Sequence, residues 1–419
     1  MPLETIRRHR REARILAGLD IGTSEIKVVV AEDGEDGIKV LGVGQARTRG
    51  ARDGKVVNVA QIAECIHKAV ETAEMMSGIE MGRVHVSITG GVRRSVNGKG
   101  MAAVRREVVV PRELREVKRT ATAMALSGDE EVLAVVPQGF AVDGTTGVFQ
   151  PLGMAAACLS GRYHVVTGSS QAVRNLHRVC ERTDLAVDGI HLEALASGRA
   201  ALDDDERELG VLLLDLGAAT TSLAVHRDGV LLHTGLVPMG GDDITCDLAQ
   251  QLRIPLGVAE RIKLEHGCAW APLLGEEQFF EIPSPGGREP KRYPREATVE
   301  LIQPRVEDIL YAVRRHVQDA GIRCEDLASG VVITGGTAEL DGLAEVAEDV
   351  LGVPVRTGAP RGIGGLTNVV RRAAFSGAVG LVLLASAEGP GDGFKGAERD
   401  SGVLTRLWRW FQEATRDYV

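Results

Sequence analysis

The chain has 419 residues, 44% apolar and 26% charged, with a net charge of −9. That length suffices for two domains with cores of their own, and the acidic balance argues against general nucleic-acid binding. Aromatic residues make up only 3%, too few for a base-stacking surface along a single strand. The six cysteines (Cys65, Cys158, Cys180, Cys246, Cys268, Cys324) are scattered, with no Cys-x-x-Cys pair and no Cys/His cluster at metal-site spacing. They read as reduced, buried thiols of a cytosolic protein.

In chain order, residues 1–14 come first and carry Arg7, Arg8, His9, Arg10, Arg11 and Arg14. The apolar run at 15–19 is too short for a signal peptide and ends in Asp20, so this stretch reads as a disordered basic arm. Its one other use is a weak attraction to anionic lipid. Residues 15–19, 25–31 and 38–43 read as three strands, and 59–76 as a helix with Ile62, Cys65, Ile66, Ala69, Val70 and Ala73 on one side. A strand at 84–89 ends in Gly90-Gly91.

From 94 to 162 the texture changes to short strands separated at Asn97-Gly98, Gly139 and residues 144–147, with a helix at 113–125. This reads as a small α+β insertion. A strand at 163–166, a helix at 172–182, a strand at 187–192 and a helix at 193–202 follow, and the strand at 210–215 begins the pattern again. A repeat of this size means two related domains rather than a solenoid. Helices are expected through residue 251 from Gly240-Gly241, at 258–265, at 304–320 starting on Pro304, at 343–351 and at 375–385. Residues 270–295 read as loops between short strands, and 330–333 as a buried strand followed by Thr334-Gly335-Gly336-Thr337.

Both halves contain an apolar strand running into Asp-x-Gly and leaving through small residues as a second strand. The copies are Leu19-Asp20-Ile21-Gly22-Thr23-Ser24 and Leu214-Asp215-Leu216-Gly217-Ala218-Ala219-Thr220-Thr221. Facing each other across a cleft, the two turns would aim backbone N–H groups at one phosphate chain. Asp20 and Asp215 would hold Mg²⁺ beside it, through water.

The last segment, 403–419, puts Val403, Leu404, Leu407, Trp408 and Phe411 on one helical stripe, with Trp410 flanking it and Arg406 and Arg409 elsewhere. It is too short to span a bilayer, which needs about 20 apolar residues. It reads as an interfacial membrane helix using Leu404, Arg406, Leu407, Trp408, Arg409, Trp410 and Phe411, reached by a linker at 387–402. Weak for one chain, such binding strengthens when chains are joined in a row.

Residues 19–23 resemble the first phosphate motif of the actin, sugar-kinase and chaperone ATPase superfamily, residues 211–221 the second, and residues 331–337 its adenosine motif. Pro238-Met239-Gly240-Gly241 and residues 259–263 resemble its nucleotide-pocket elements. Within the superfamily the chain is most similar to the FtsA family of actin-like bacterial cell-division proteins, also on residues 206–210, 262–269, 283–288 and 363–367.

The resemblance implies an α/β, actin-like two-domain ATPase fold. Its first domain would be 15–83 with 163–196 and 366–386, carrying an inserted subdomain at 84–162. The second would be 197–238 with 307–365, and an outer subdomain at 239–306 would bind the C-terminal peptide of FtsZ. It implies ATP held by Asp20, Gly22, Thr23, Ser24, Asp215, Gly217, Ala218, Ala219, Thr220, Gly240, Gly241, Glu260, Lys263, Gly335, Gly336 and Thr337. Arg305 is the candidate for a partner carboxylate, or else the member of a helix-end ion pair. Glu193 either orients an attacking water or caps its helix, so the catalytic residue stays unassigned. Ala218 and Ala219 replace the family's glycines, and hydrolysis is expected to be weak or absent if those positions need positive φ.

The implied role is an adaptor that polymerises on the cytoplasmic face of the inner membrane at the division site. There it would anchor FtsZ and recruit later division proteins. A PilM-like pilus-assembly scaffold and a soluble sugar-kinase-type enzyme are the alternatives.

Overall fold

The computed structural model describes residues 13–275, 278–282 and 289–388. The arm apart from residues 13 and 14, most of the linker and the segment 403–419 lie outside them, as do residues 283–288.

The expected duplication is present in the strand order. In the first sheet Arg14–Ile21, Glu25–Gly34 and Gly37–Arg47 pair antiparallel in succession. Arg83–Ile88 then runs parallel beside Arg14–Ile21, and Ala186–Leu192 parallel beside Arg83–Ile88. The second sheet repeats this with Val211–Leu216, Thr221–Arg227 and Val230–Val237, then Val331–Thr334 and Val355–Thr357. The first sheet gains a sixth, edge strand, Ile363–Gly365, beside Gly37–Arg47.

Alternation assigns the faces. Leu212, Leu214 and Leu216 pack against Ile302, Val306 and Ile309 of the helix Glu296–Asp319. Val211 and Leu213, pointing the other way, pack against Ala194, Ala201 and Leu202. Covered on both faces, Val211–Leu216 is buried along its whole length, and each such leucine contributes about 1.5–3 kcal/mol. In the first sheet Leu19, Val28 and Val30 meet Ile62, Ile66 and Val173 of the helices Val59–Ser77 and Ser170–Glu181. Leu16, Val29 and Val40 meet Phe375, just ahead of the C-terminal helix Ser376–Glu388, and Val379 and Val382 within it. The helix Glu193–Ala201 buries Ala194, Ala196, Ser197, Gly198 and Ala200, small residues that let it lie between the two lobes.

The insertion is a four-stranded sheet, in the order Val92–Ala103, Cys158–Ser169, Glu130–Val142, Thr145–Val148, packed on the helix Pro111–Ala123. Asn97-Gly98, expected as a turn, lies inside a twelve-residue strand. Gly98 is there for close approach: a Cβ would stand 2.6 Å from the Ala121 carbonyl oxygen of the helix. Gly139 likewise sits within a strand, at a register shift. The insertion also holds the edge strand of the second sheet. Gln138 Nε2 donates to the Leu231 carbonyl (2.8 Å) and Asn97 Nδ2 to that of Leu232 (3.2 Å). His164 Nε2 lies 2.9 Å from Thr234 Oγ1.

Three further expectations change. The inserted sheet runs on to Ser169, past the expected end at 162, and Arg83–Ile88, expected to open the insertion from residue 84, pairs in the first sheet instead. The helix expected from Pro304 begins eight residues earlier, at Glu296, with the proline inside it. Thr298, Val299 and Ile302 extend its buried stripe, and their burial outweighs the lost backbone bond. Of the cysteines, Cys65, Cys180, Cys268 and Cys324 are buried, Cys158 is half-buried, and Cys246 is exposed.

Candidate functional site

The two Asp-x-Gly turns have the same geometry. The Gly22 N–H donates to the Glu25 carbonyl at 3.1 Å and the Gly217 N–H to the Thr220 carbonyl at 2.9 Å. Each closes a tight loop of small residues just beyond its aspartate. Neither Ala218 nor Ala219 adopts positive φ, so the alanines bring no backbone strain and the condition attached to them in the sequence is not met.

Asp20 and Asp215 are both buried near the ends of inward-facing strands. Asp20 Oδ1 accepts a 2.8 Å bond from Ser87 Oγ. Glu193 joins them. Burial, then the charges of Asp20 and Asp215, push its carboxyl well above the usual range. Its Oε2 is buried without a partner in the structure. Asp215 is pushed up to about 6, by burial first and by Asp20 as well, against the opposing Ser197 hydroxyl and Lys27. Leu192 occupies the cap position of this helix and Glu193 makes no capping bond, which removes the N-cap reading of Glu193. The convergence requires Gly377, where a Cβ would lie 2.0 Å from Glu193 Oε1 and 3.3 Å from Asp20 Oδ2. It also requires Gly335, at φ +90, where a Cβ would lie 2.4 Å from Asp215 Oδ1.

Segments far apart in sequence gather on the second turn. The Gly217 carbonyl accepts from Thr337 Oγ1 (2.9 Å) and from the Gly241 N–H (3.0 Å), and the Ala218 carbonyl from the Asp242 N–H (2.6 Å). Lys263 Nζ donates to the Gly241 carbonyl (2.9 Å) and Thr245 Oγ1 (2.8 Å), and pairs with Glu260 at 2.8 Å. Thr245 also bonds Glu260. The Lys263 side chain is only 10% exposed, so its pair is a built part of this wall rather than a solvated surface bridge. Gly336 is exposed at the rim.

On the first turn, Thr23 Oγ1 accepts from the Gly54 N–H at 3.1 Å, and Ser24 is exposed. Thr221 uses its hydroxyl structurally, donating to the Met239 carbonyl at 2.9 Å. A cavity of about 730 Å³ has Ile21, Ser87, Thr220, Lys55 and Arg93 in its wall but none of the three carboxylates, and it reaches Asp20 only through the Ser87 that bonds it.

Ser87, Lys27, Ser197 and Gly377 were not read from the sequence as part of this site. Ser87 had a signal: it is a polar residue near the end of an apolar strand that resumes the fold beside Asp20. Arg305 is mid-helix, donating twice to Asp247 (2.6 and 3.1 Å) with Asp308 at 3.6 Å.

Residues 212–380 match the family described as cell division protein FtsA, and residues 90–167 match the SHS2 domain inserted in FTSA. The cell division protein FtsA of Pseudomonas aeruginosa is 37% identical over 412 residues, covering 96% of this chain and 98% of that protein. The chain belongs to the FtsA family. It is therefore a cell-division protein, and the pilus-assembly and sugar-kinase alternatives give way. The SHS2 match falls on the inserted four-stranded sheet.

Among solved structures, the PilM–PilN type IV pilus biogenesis complex is similar with a TM-score of 0.64 at 17% identity, covering 89% of this chain and 99% of that one. MreB5 of Spiroplasma citri bound to ADP is similar with a TM-score of 0.50 at 14% identity, covering 87% and 94%. At these identities the likeness shows the fold, which is actin-like.

Proposed function

We propose that the cleft between the two lobes binds ATP with Mg²⁺, and that the chain is an adaptor polymerising at the cytoplasmic face of the inner membrane. There it anchors FtsZ and recruits later division proteins. The observation that carries the nucleotide reading is the meeting of Asp20, Glu193 and Asp215 from both lobes beside two matched turns. Three buried carboxylates with Lys27 as the basic neighbour leave a net negative site of hard oxygen donors, which suits Mg²⁺. Asp20 and Asp215 would hold the ion through water, and it would draw the phosphates toward the turns.

Gly22, Thr23, Ser24 and residues 217–220 would face the phosphates. The wall of Gly240, Gly241, Glu260, Lys263, Gly335, Gly336 and Thr337 would carry the nucleoside. The fold's capacity for a nucleotide is supported by the similar MreB5 of Spiroplasma citri, which is bound to ADP. Glu193, whose carboxyl is pushed above the usual range by burial and the two aspartates, would orient the attacking water, and ATP hydrolysis is expected to be weak or absent.

For the partner, residues 239–306 would receive the C-terminal peptide of FtsZ, with Arg305 exchanging Asp247 for a peptide carboxylate. The segment 403–419 would hold lipid.

Calorimetric titration of ATP with and without Mg²⁺ tests the nucleotide site. Binding to the unmodified chain should depend on Mg²⁺ and weaken at least about tenfold in both Asp20→Asn and Asp215→Asn. Unchanged affinity in the two variants would overturn the assignment.

A further inference from the structure

A second polar cluster lies at the other end of the C-terminal helix. His85 and His191 stand on neighbouring parallel strands whose register pairs His85 with Gly189 and His191 with Ser87. Both side chains therefore share one face of the first sheet. Their rings stack with centroids 5.2 Å apart, and His85 Nδ1 is 2.9 Å from His191 Nε2. Glu388, in the last described turn of Ser376–Glu388, brings Oε1 to 3.8 Å from His191 Nδ1. One donor atom from each of the three lies within 4.8 Å of the others. Gly189 keeps the space clear, since a Cβ there would stand 2.8 Å from both His191 Nε2 and His85 Nδ1.

We propose that His85, His191 and Glu388 form a binding site for a divalent transition-metal ion of the Zn²⁺ type. Two imidazole nitrogens and a carboxylate oxygen, with a fourth position left for water, are a Zn²⁺ donor set, whereas Mg²⁺ prefers oxygen alone. The His85 and Glu388 contacts fall on different nitrogens of His191, so an ion held by one nitrogen of each ring requires the His191 ring or the Glu388 side chain to turn on binding.

Asp188 beside His85 favours a cation, while Arg14 and Arg83 oppose it. Arg83 is itself engaged by Asp188. Glu388 is where the described chain passes to residues 389–419. A bound ion would pin the end of that helix to the sheet, while the start of the same helix touches Asp20 and Glu193 through Gly377.

The test uses the full chain with Cys246→Ser, which removes the exposed thiol, stripped with a chelator. Zn²⁺ alone is titrated against a competing chelator, and Co²⁺ absorption reports nitrogen ligation. One ion per chain is expected with a tetrahedral Co²⁺ spectrum. Affinity should fall about tenfold in Glu388→Gln and about hundredfold in His191→Ala. Glu388 is half-exposed on a helix end, so its variant keeps the fold, which circular dichroism checks. No stoichiometric binding would overturn the proposal. So would equal affinity in the parent and both variants, which would place the ion elsewhere, such as on the cleft carboxylates.

Discussion

At the residue scale, the polar groups this fold buries are the most informative ones. Asp20 and Asp215 were legible because Asp-x-Gly after an apolar strand recurs, and a recurrence carries more than either copy. For Glu193 the sequence offered two roles, water orientation or helix capping, and could not choose, because its convergence with the aspartates depends on Gly377, almost two hundred residues away. Lys263 was read in its pocket from its motif, and its bonds to Gly241 and Thr245 supply the mechanics. A buried histidine makes a pH prediction. Burial and the nearby His233 lower His164 to about 3. Between about 6.5 and 3 the unfolded chain binds a proton there that the native state does not. Stability therefore rises with pH across that window and is lost on acidification, by up to about 1.4 kcal/mol per pH unit for this group. In His164→Asn that loss is absent, so unfolding at pH 7 and pH 5 should show the unmodified chain losing more stability than the variant. An equal loss would mean that His164 takes up its proton as readily in the native state as in the unfolded chain.

At the element scale, hydrophobic periodicity located most helices, and proline and glycine produced the errors. Pro304 looked like a first turn because its ring removes an N–H that only a helix start can spare. Tertiary burial of Thr298, Val299 and Ile302 carries the helix through it regardless. Pro304→Ala should then restore a backbone bond and raise stability by about 1–3 kcal/mol, read from the urea midpoint. A drop would show that the packing of Glu296–Asp319 requires the proline's bend. In the insertion, Gly98 was misread as a turn for a related reason: glycine serves close approach as readily as it serves reversal. Strands such as Val355–Thr357 and Ile363–Gly365, three residues each, give periodicity nothing to work on.

At the scale of the whole molecule, the duplication was visible as a repeated order of elements, and the sheets repeat it strand for strand. How the lobes sit together was not legible, because it rests on small residues of Glu193–Ala201 and Ser376–Glu388 that look unremarkable in sequence. The segment 403–419 lies outside the described residues, and its role is tested on the whole chain. Removing 403–419 should abolish co-sedimentation with anionic vesicles and leave thermal unfolding and capture by the FtsZ tail peptide unchanged. Persistent pelleting would place the lipid contact elsewhere, and failure of the intact chain to take the peptide would remove the partner assignment. The insertion, finally, leaves the first lobe but is fastened to the edge of the second through Gln138, Asn97 and His164. It is a strut between the two lobes. The lobes cannot swing apart without either breaking those three bonds or carrying the strut with them. A ligand bound between the lobes, as proposed above, would in that case act on the orientation of the insertion's outward surface as well as on the cleft.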